Sequence, residues 1–313
     1  MSHAVRHPSW FDPLLTAAAP VMWGSTYLVA AEWLPPDHPL TTAAIRTLPA
    51  GLLLVLATRA FALPIAPVRL IVLALVNIGL FQGLLFVAAH RLPGGIAAVI
   101  GALQPLLLLA LAWQVDRDRP AAFALGAAGL GILGMALIFA APEATYDAAG
   151  LAAAFGATAS MAVGSFLSRR WRGTSPLLPF AGWQILIGGV ALLPFAVVME
   201  APLPALSLVQ GAAYLYLVVA GTVVAYPLWL RGLSRLPPGA VASLNLLNPL
   251  TAVVLGWLVT GPTPTPREFA GMGVVLLSVA VLQGATTAPN RLPAHFAAAT
   301  GRTDAVPPSL SKP

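Results

Sequence analysis

The chain has no cysteine, and only ten of its 313 residues are Asp or Glu. The first absence excludes disulfides and thiolate metal sites. Charged residues make up only 8% of the chain, whereas an ordinary water-soluble domain carries charge on about a quarter of its positions. Such a chain has too little polar surface to cover itself in water. The ten acids are Asp12, Glu32, Asp37, Asp116, Asp118, Glu143, Asp147, Glu200, Glu268 and Asp304, and all lie at the ends of apolar runs, between them or near the C-terminus. No converging carboxylates are therefore available for acid–base chemistry within a run. The five histidines (His3, His7, His38, His90 and His295) are scattered, which argues against a metal site. No glycine-rich loop ending in Lys-Ser or Lys-Thr is present, so the chain encodes no ATPase of its own. The expectation is a protein that is not an enzyme and needs no cofactor.

Apolar residues are abundant instead, at 58% of the chain. Pro, charge and Gly-Pro clusters divide them into ten runs, near 13–31, 41–58, 69–89, 95–114, 121–140, 149–168, 177–198, 208–230, 239–259 and 267–286. Each is about the length that crosses a bilayer as a helix. Lipid offers no hydrogen bonds to the backbone, so helices are the spanning structure; the alternation of a membrane barrel is absent. The first run continues past signal-peptide length to Ala31 and reads as a retained helix. A net charge of +6 invites a nucleic-acid reading, but the basic residues form no stripe and no stacking motif accompanies them, so no nucleic-acid partner is expected. They orient the chain instead. With the N-terminus inside, thirteen fall in inside segments (Arg6, Arg59, Arg69, Arg117, Arg119, Arg169, Arg170, Arg172, Arg231, Arg235, Arg291, Arg302 and Lys312), and only Arg91 and Arg267 fall outside. That bias predicts cytoplasmic termini.

The block Arg91 to Trp113 returns 144 residues later, from Arg235 to Trp257. Ten of its 23 positions are identical, among them Arg91/Arg235, Pro93/Pro237, Pro105/Pro249 and Trp113/Trp257. Gly24-Ser25 and Gly164-Ser165 extend the match, as do Phe123 and Phe269. A long internal repeat in a membrane chain is the usual construction of a transporter. Five helices per copy is an odd number, so the second copy enters from the opposite face. The predicted fold is an all-α integral membrane protein of ten transmembrane helices in an inverted five-plus-five repeat. Its expected parts are a cytoplasmic N-terminal segment (1–12), a first repeat (13–140), a second repeat (149–286) and a disordered cytoplasmic tail (287–313).

Polar and aromatic residues inside the helices are the substrate-cavity candidates: Trp23, Tyr27, Asn77, Gln82, Gln104, Ser165, Thr222, Tyr226, Asn245 and Asn248, with Ser25, Thr26, Ser160, Trp183, Gln184 and Ser243 beside them. Amides and hydroxyls replace the hydration of a polar or zwitterionic metabolite without fixed charge; hydrogen bonding between helices is the other use open to each. Pro105 and Pro249 each remove a helical hydrogen bond, so both helices should kink there, as hinges or as fixed bends. Gly79 and Gly83 suit close helix packing. Arg46 is the one cation well inside a run; it either meets a substrate carboxylate or snorkels to the outer headgroups. Without an intramembrane carboxylate to carry a coupling ion, facilitated movement is favoured.

The order Pro20-x-x-Trp23-Gly24-Ser25, Arg46, Gln104-Pro105 and Asn248-Pro249 resembles the drug/metabolite transporter superfamily, and within it the ten-helix EamA-type exporters, over about residues 12–286. The resemblance implies a bundle around a central cavity lined mainly by helices 1, 3, 4, 6, 8 and 9. It also implies export of amino acids or related metabolites from a bacterial cytoplasm across the inner (plasma) membrane. The aromatic candidates are similar to those of the YddG-type aromatic amino-acid exporters. Members often carry an acid after helices 4 and 9; Asp118 is placed for the first, while Gly261-Pro262 replaces the second. The expected partners are a small-molecule substrate and the lipid bilayer; the sequence leaves the oligomeric state open and is compatible with a monomer. Competing readings are a passive scaffold or subunit of a larger assembly and, within the same fold, a nucleotide-sugar or drug transporter.

Overall fold

The computed structural model describes residues 11–117, 122–139, 147–236, 241, 244–260 and 265–287. Asp118, Ser243, Gly261-Pro262, the first ten residues and the segment after Thr287 lie outside the described residues. Ten helical stretches follow in order: α1 Phe11–Trp33, α2 Pro39–Thr58, α3 Pro67–Arg91, α4 as Gly94–Gly101 and Gln104–Asp116, α5 Ala122–Phe139, α6 Ala148–Trp171, α7 Leu177–Met199, α8 Leu208–Arg235, α9 Leu247–Thr260 and α10 Pro266–Thr287. No strand occurs among the described residues. Seven stretches (α1 to α4 and α6 to α8) are both long and apolar enough to cross a bilayer, while α5 and α9 contribute shorter apolar runs.

Local chemistry sets the helix boundaries. Pro39 and Pro67 open α2 and α3 at positions where the missing N–H has no intrahelical partner in any case. Asp147 caps α6 by accepting from the Gly150 N–H at 2.6 Å. Ser207 and Gln210 form a reciprocal capping box at α8. Arg59 closes α2 in the left-handed region.

Between helices, packing rather than hydrophobic exclusion supplies the attraction in a bilayer. The longest contact is α2 against α7. It is possible because Gly51 has no side chain; a methyl group there would overlap the backbone of Leu186. α5 and α10 form a second pair at the edge of the bundle. The remaining helices make two groups, α1 with α8 and α9, and α3 and α4 with α6. The side chains of Leu40 and Leu192 enclose Gly83, and Gly79 lies beside Gly188 of α7, so this pair of glycines serves packing.

The helical irregularities obey the repeat. α4 is interrupted at Ala102–Leu103 and the α9 region at Leu246, and 102 plus 144 is 246. Each break lies just N-terminal to the proline, whose ring displaces the carbonyl four residues back. At the first, the chain tightens to a short turn, Leu103 N–H donating to the Ile100 carbonyl at 3.1 Å. Pro20, Pro49 and Pro194 lie inside unbroken helices, so proline alone does not dictate a break. A second symmetric feature has no signature in the sequence. α3 widens to a π-helical turn at Leu75–Leu80 and α8 at Val219–Val224, and adding 144 to the first pair of bounds gives the second. Carbonyls in these turns accept bonds from other helices: Val76 from Ser160 Oγ at 2.5 Å, Gly221 from Trp23 Nε1 at 3.0 Å.

Gly51→Leu is expected to force α2 off α7 and to destabilise the protein by about 1–3 kcal/mol or more. Thermal melting in detergent checks this, and an unchanged midpoint would show that the α2–α7 contact can relax freely.

Candidate functional site: a central cavity

The two helix groups face each other across a cavity of about 730 Å³, inside the roughly 300–1,000 Å³ range of small-molecule sites. Nine of the ten cavity candidates line it: Trp23, Tyr27, Asn77, Gln82, Gln104, Ser165, Tyr226, Asn245 and Asn248; so do Arg46, Pro105 and Pro249. Thr222 does not. It is 1% exposed and sits behind Arg46, accepting from its Nε at 3.2 Å. Its hydroxyl holds the guanidinium from behind.

Arg46 does not snorkel. It is 4% exposed, and its Nη2 donates to the Gly221 carbonyl at 3.1 Å. Its guanidinium carbon lies 5.7 Å from the centre of the Phe86 ring. The reason is the π turn of α8, which offers a carbonyl that an α-helical turn would have bonded internally. A buried guanidinium needs compensation, and here neutral dipoles and a ring face provide it. No carboxylate pairs with Arg46 among the described residues.

Aromatic rings stand around this charge. Trp23 meets Tyr226 and Trp229 edge-to-face, each with centroids 5.5 Å apart. Trp229 is not among the candidates that the sequence suggests. Its spacing from Tyr226, three residues on a helix, is the signal that puts both on one face. The amides divide by partner. Asn77 Nδ2 donates to Gln184 Oε1 at 3.2 Å, and Gln104 Nε2 to Ser165 Oγ at 3.1 Å, so these residues serve contacts between helices. Gly164 permits the approach of α6 to α3, since a side chain there would overlap Asn77.

The two ends of the cavity differ in burial. Ala88, Ala97 and Ala98, all buried, line the end near Arg91. The other end reaches Ser168, Arg172 and the exposed Arg169. Among the described residues that line the cavity there is no Asp or Glu. Ionic clasps flank the bundle at both faces. Arg91 at the end of α3 pairs with Asp147 at 3.0 Å. Its repeat partner Arg235 lies 3.4 Å from Asp12, which Arg231 also holds at 2.6 Å. Each clasp joins an arginine from one half to an acid at the start of the other half. The two acids are not at one repeat offset, which is why sequence comparison does not reveal the pairing.

The two halves match the family model of EamA-like transporters separately, over residues 11–140 and 148–283. The chain belongs to the EamA-like transporter family, within the drug/metabolite transporter superfamily. It is similar to the Protein PecM of Dickeya dadantii, 38% identical over 272 residues that cover 85% of this chain and 90% of that one. It is also similar to the uncharacterized inner membrane transporter YedA of Escherichia coli K12, 30% identical over 84% of this chain and 87% of that one. A solved crystal structure shares the fold with a TM-score of 0.61 at 18% identity, covering 86% of this chain and 95% of that one. This EamA chain is therefore a multi-pass membrane protein, and its general activity is transport of small metabolites across a membrane.

The clasp at Asp147 gives a pH prediction. The Gly150 backbone N–H, with Arg91 beside it, holds the Asp147 carboxyl below the usual carboxylate range. A depressed folded-state value means that the stabilisation is present above the unfolded value and disappears as pH falls through the folded one. Asp147→Ala should melt at a lower temperature than the parent at neutral pH, and the two should converge in acid. A difference that persists unchanged in acid would show that the carboxylate charge is not its source.

Proposed function

We propose that this protein exports amino acids, aromatic and other neutral ones foremost, or related small metabolites across the bacterial inner membrane by alternating access. The observation that carries the reading is Arg46: a buried cation without a carboxylate partner among the described residues, in an aromatic-walled cavity of suitable size. A carboxylate-bearing cargo supplies the missing counter-charge, and the rings receive its apolar part. The absence of an acid among the described cavity residues supports facilitated movement, because it leaves no carboxylate there to carry a coupling proton. It also disfavours a purely cationic drug as cargo. Nucleotide-sugars, with several negative charges, fit poorly around a single interior cation.

The more exposed end of the cavity lies on the arginine-rich face. If that face is cytoplasmic, the conformation is inward-open, and Arg169 and Arg172 at the mouth favour entry of a carboxylate by electrostatic attraction. The repeat-related breaks beside Pro105 and Pro249, and the two π turns, are the places where helix direction can change without unfolding a span. We assign hinge roles to them. The inner-membrane transporter name of the Escherichia coli relative supports the location.

Proteoliposomes containing the purified protein are expected to exchange labelled phenylalanine without ATP, and Arg46→Gln should lower the rate at least tenfold, since a hydrogen-bonded charge pair is worth about 1.5–3 kcal/mol. Failure to move every amino acid tested would overturn this reading and return a scaffold role to consideration. Pro105→Ala and Pro249→Ala should slow exchange while leaving the melting temperature near the parent value; unchanged rates would make both breaks architectural. Because the chain has no cysteine of its own, orientation is testable directly. A cysteine at Thr174 should react with an impermeant thiol reagent only in inverted vesicles, and one at Ala205 only in intact cells.

A further inference from the structure

The arginines of this protein differ in whether an acid answers them. Arg91, Arg170, Arg231 and Arg235 each pair with a carboxylate. Arg59, Arg69 and Arg172 pair with none among the described residues; the first two are exposed and the third is half-buried. All three stand at the links that join α2 to α3 (59–66) and α6 to α7 (172–176) on the arginine-rich face. These links are held in place. Ser175 Oγ donates to the Pro64 carbonyl at 2.6 Å, which joins one link to the other, and Trp183 Nε1 of α7 donates to the Ala60 carbonyl at 2.8 Å. Gly173 turns the second link at a φ of 55°, and Arg172 Nη1 donates to the Ser175 carbonyl at 2.8 Å. The Arg69 guanidinium carbon lies 5.9 Å from the centre of the ring of Trp171, the residue before Arg172. A guanidinium against a ring face keeps its in-plane N–H groups for an anion, and its fork matches the oxygens of a phosphate.

Two further observations say which anion. Trp171 ends a spanning helix, and tryptophan favours the headgroup level of a bilayer, where lipid phosphates lie. Phe61 and Leu63, in the same link as Arg59, are exposed, at 65% and 43%. A soluble anion would leave them in water, whereas acyl chains would cover them. We propose that the joined α2–α3 and α6–α7 links form a binding site for an anionic phospholipid, its phosphate received by Arg69 and Arg172, its charge balanced further by Arg59, and its acyl chains lying against Phe61 and Leu63. The site is separate from the place of the cargo, since Arg59, Phe61, Leu63 and Arg69 do not line the central cavity. Arg172 does line it, so a headgroup held here sets the charge at that end of the cavity. The lipid also bridges two links that carry four helices.

The test is native mass spectrometry of the purified full-length protein in mixed micelles, with phosphatidylglycerol or phosphatidylcholine of identical acyl chains, and with inorganic phosphate as competitor. Phosphatidylglycerol is expected to bind at least tenfold more tightly than phosphatidylcholine, the preference shrinking as salt rises. Arg69→Gln should reduce that preference about fivefold, the effect of one cation near a lipid phosphate, and Arg69→Lys should keep most of it. Adding Arg59→Gln to Arg69→Gln should erase it. Melting temperatures without added lipid, near the parent value, report the fold of each variant. Equal binding of the two lipids by the parent would overturn the proposal, leaving annular lipid only. Displacement of phosphatidylglycerol by millimolar inorganic phosphate would also overturn it, assigning the arginines to a free anion. Arg117→Gln is the control, an exposed arginine on the same face and outside the two links. A loss there equal to that of Arg69→Gln would reduce the effect to general surface charge and remove the site.

Discussion

Lipid supplies no hydrogen bonds, so a backbone group released from a membrane helix must find a partner inside the protein. That constraint organises this structure. Among the described residues the spanning stretches are helical, and they depart from regular α-helix at four places, the breaks in α4 and the α9 region and the π turns in α3 and α8. All four lie on helices that border the central cavity. Where α8 widens, the Gly221 carbonyl becomes an acceptor for Trp23 and Arg46, which ties α1 and α2 to α8. Where α3 widens, Val76 binds Ser160 and ties α6 to α3. Irregular backbone therefore does two things together: it makes room for a site and assembles the helices around it.

The same constraint explains how a guanidinium survives in the interior. Thr222, Gly221 and Phe86 offer dipoles and a ring face but no negative charge. This environment tolerates the cation without neutralising it, which suits the anion-binding role proposed for Arg46. A carboxylate neighbour would have made the empty state more stable and weakened the attraction for a cargo.

Much of the architecture is legible in the order of residues. Ten apolar runs, the arginine bias and the recurrence of Arg91–Trp113 at Arg235–Trp257 point to a membrane bundle in two inverted halves, because helix length, loop charge and an odd helix count follow from composition and order alone. The site is legible in part. Helical polar residues such as Asn77 and Gln104 stand out in an apolar chain, and they do border the cavity. Their partners do not stand out, since Gln184 and Ser165 lie 107 and 61 residues away. Thr222 has the character of a lining residue yet stands behind one, for a sequence assigns its helix but not its angle around the bundle.

Arg46 marks the boundary between the two kinds of knowledge. The sequence determined that one cation lies within an apolar helix, and left open whether it reaches the headgroups or the interior. Only the tertiary structure decided, because the deciding group is a carbonyl 175 residues away, exposed by a π turn with no residue signature. In the same way, the sequence determined which amides exist, while the fold chose which are spent between helices and which, Gln82 and Asn248 among the described residues, keep a buried oxygen without a partner. The physical reason is common to both cases. Covalent order sets which polar groups enter the membrane, and the packing of distant helices sets which of them are satisfied there.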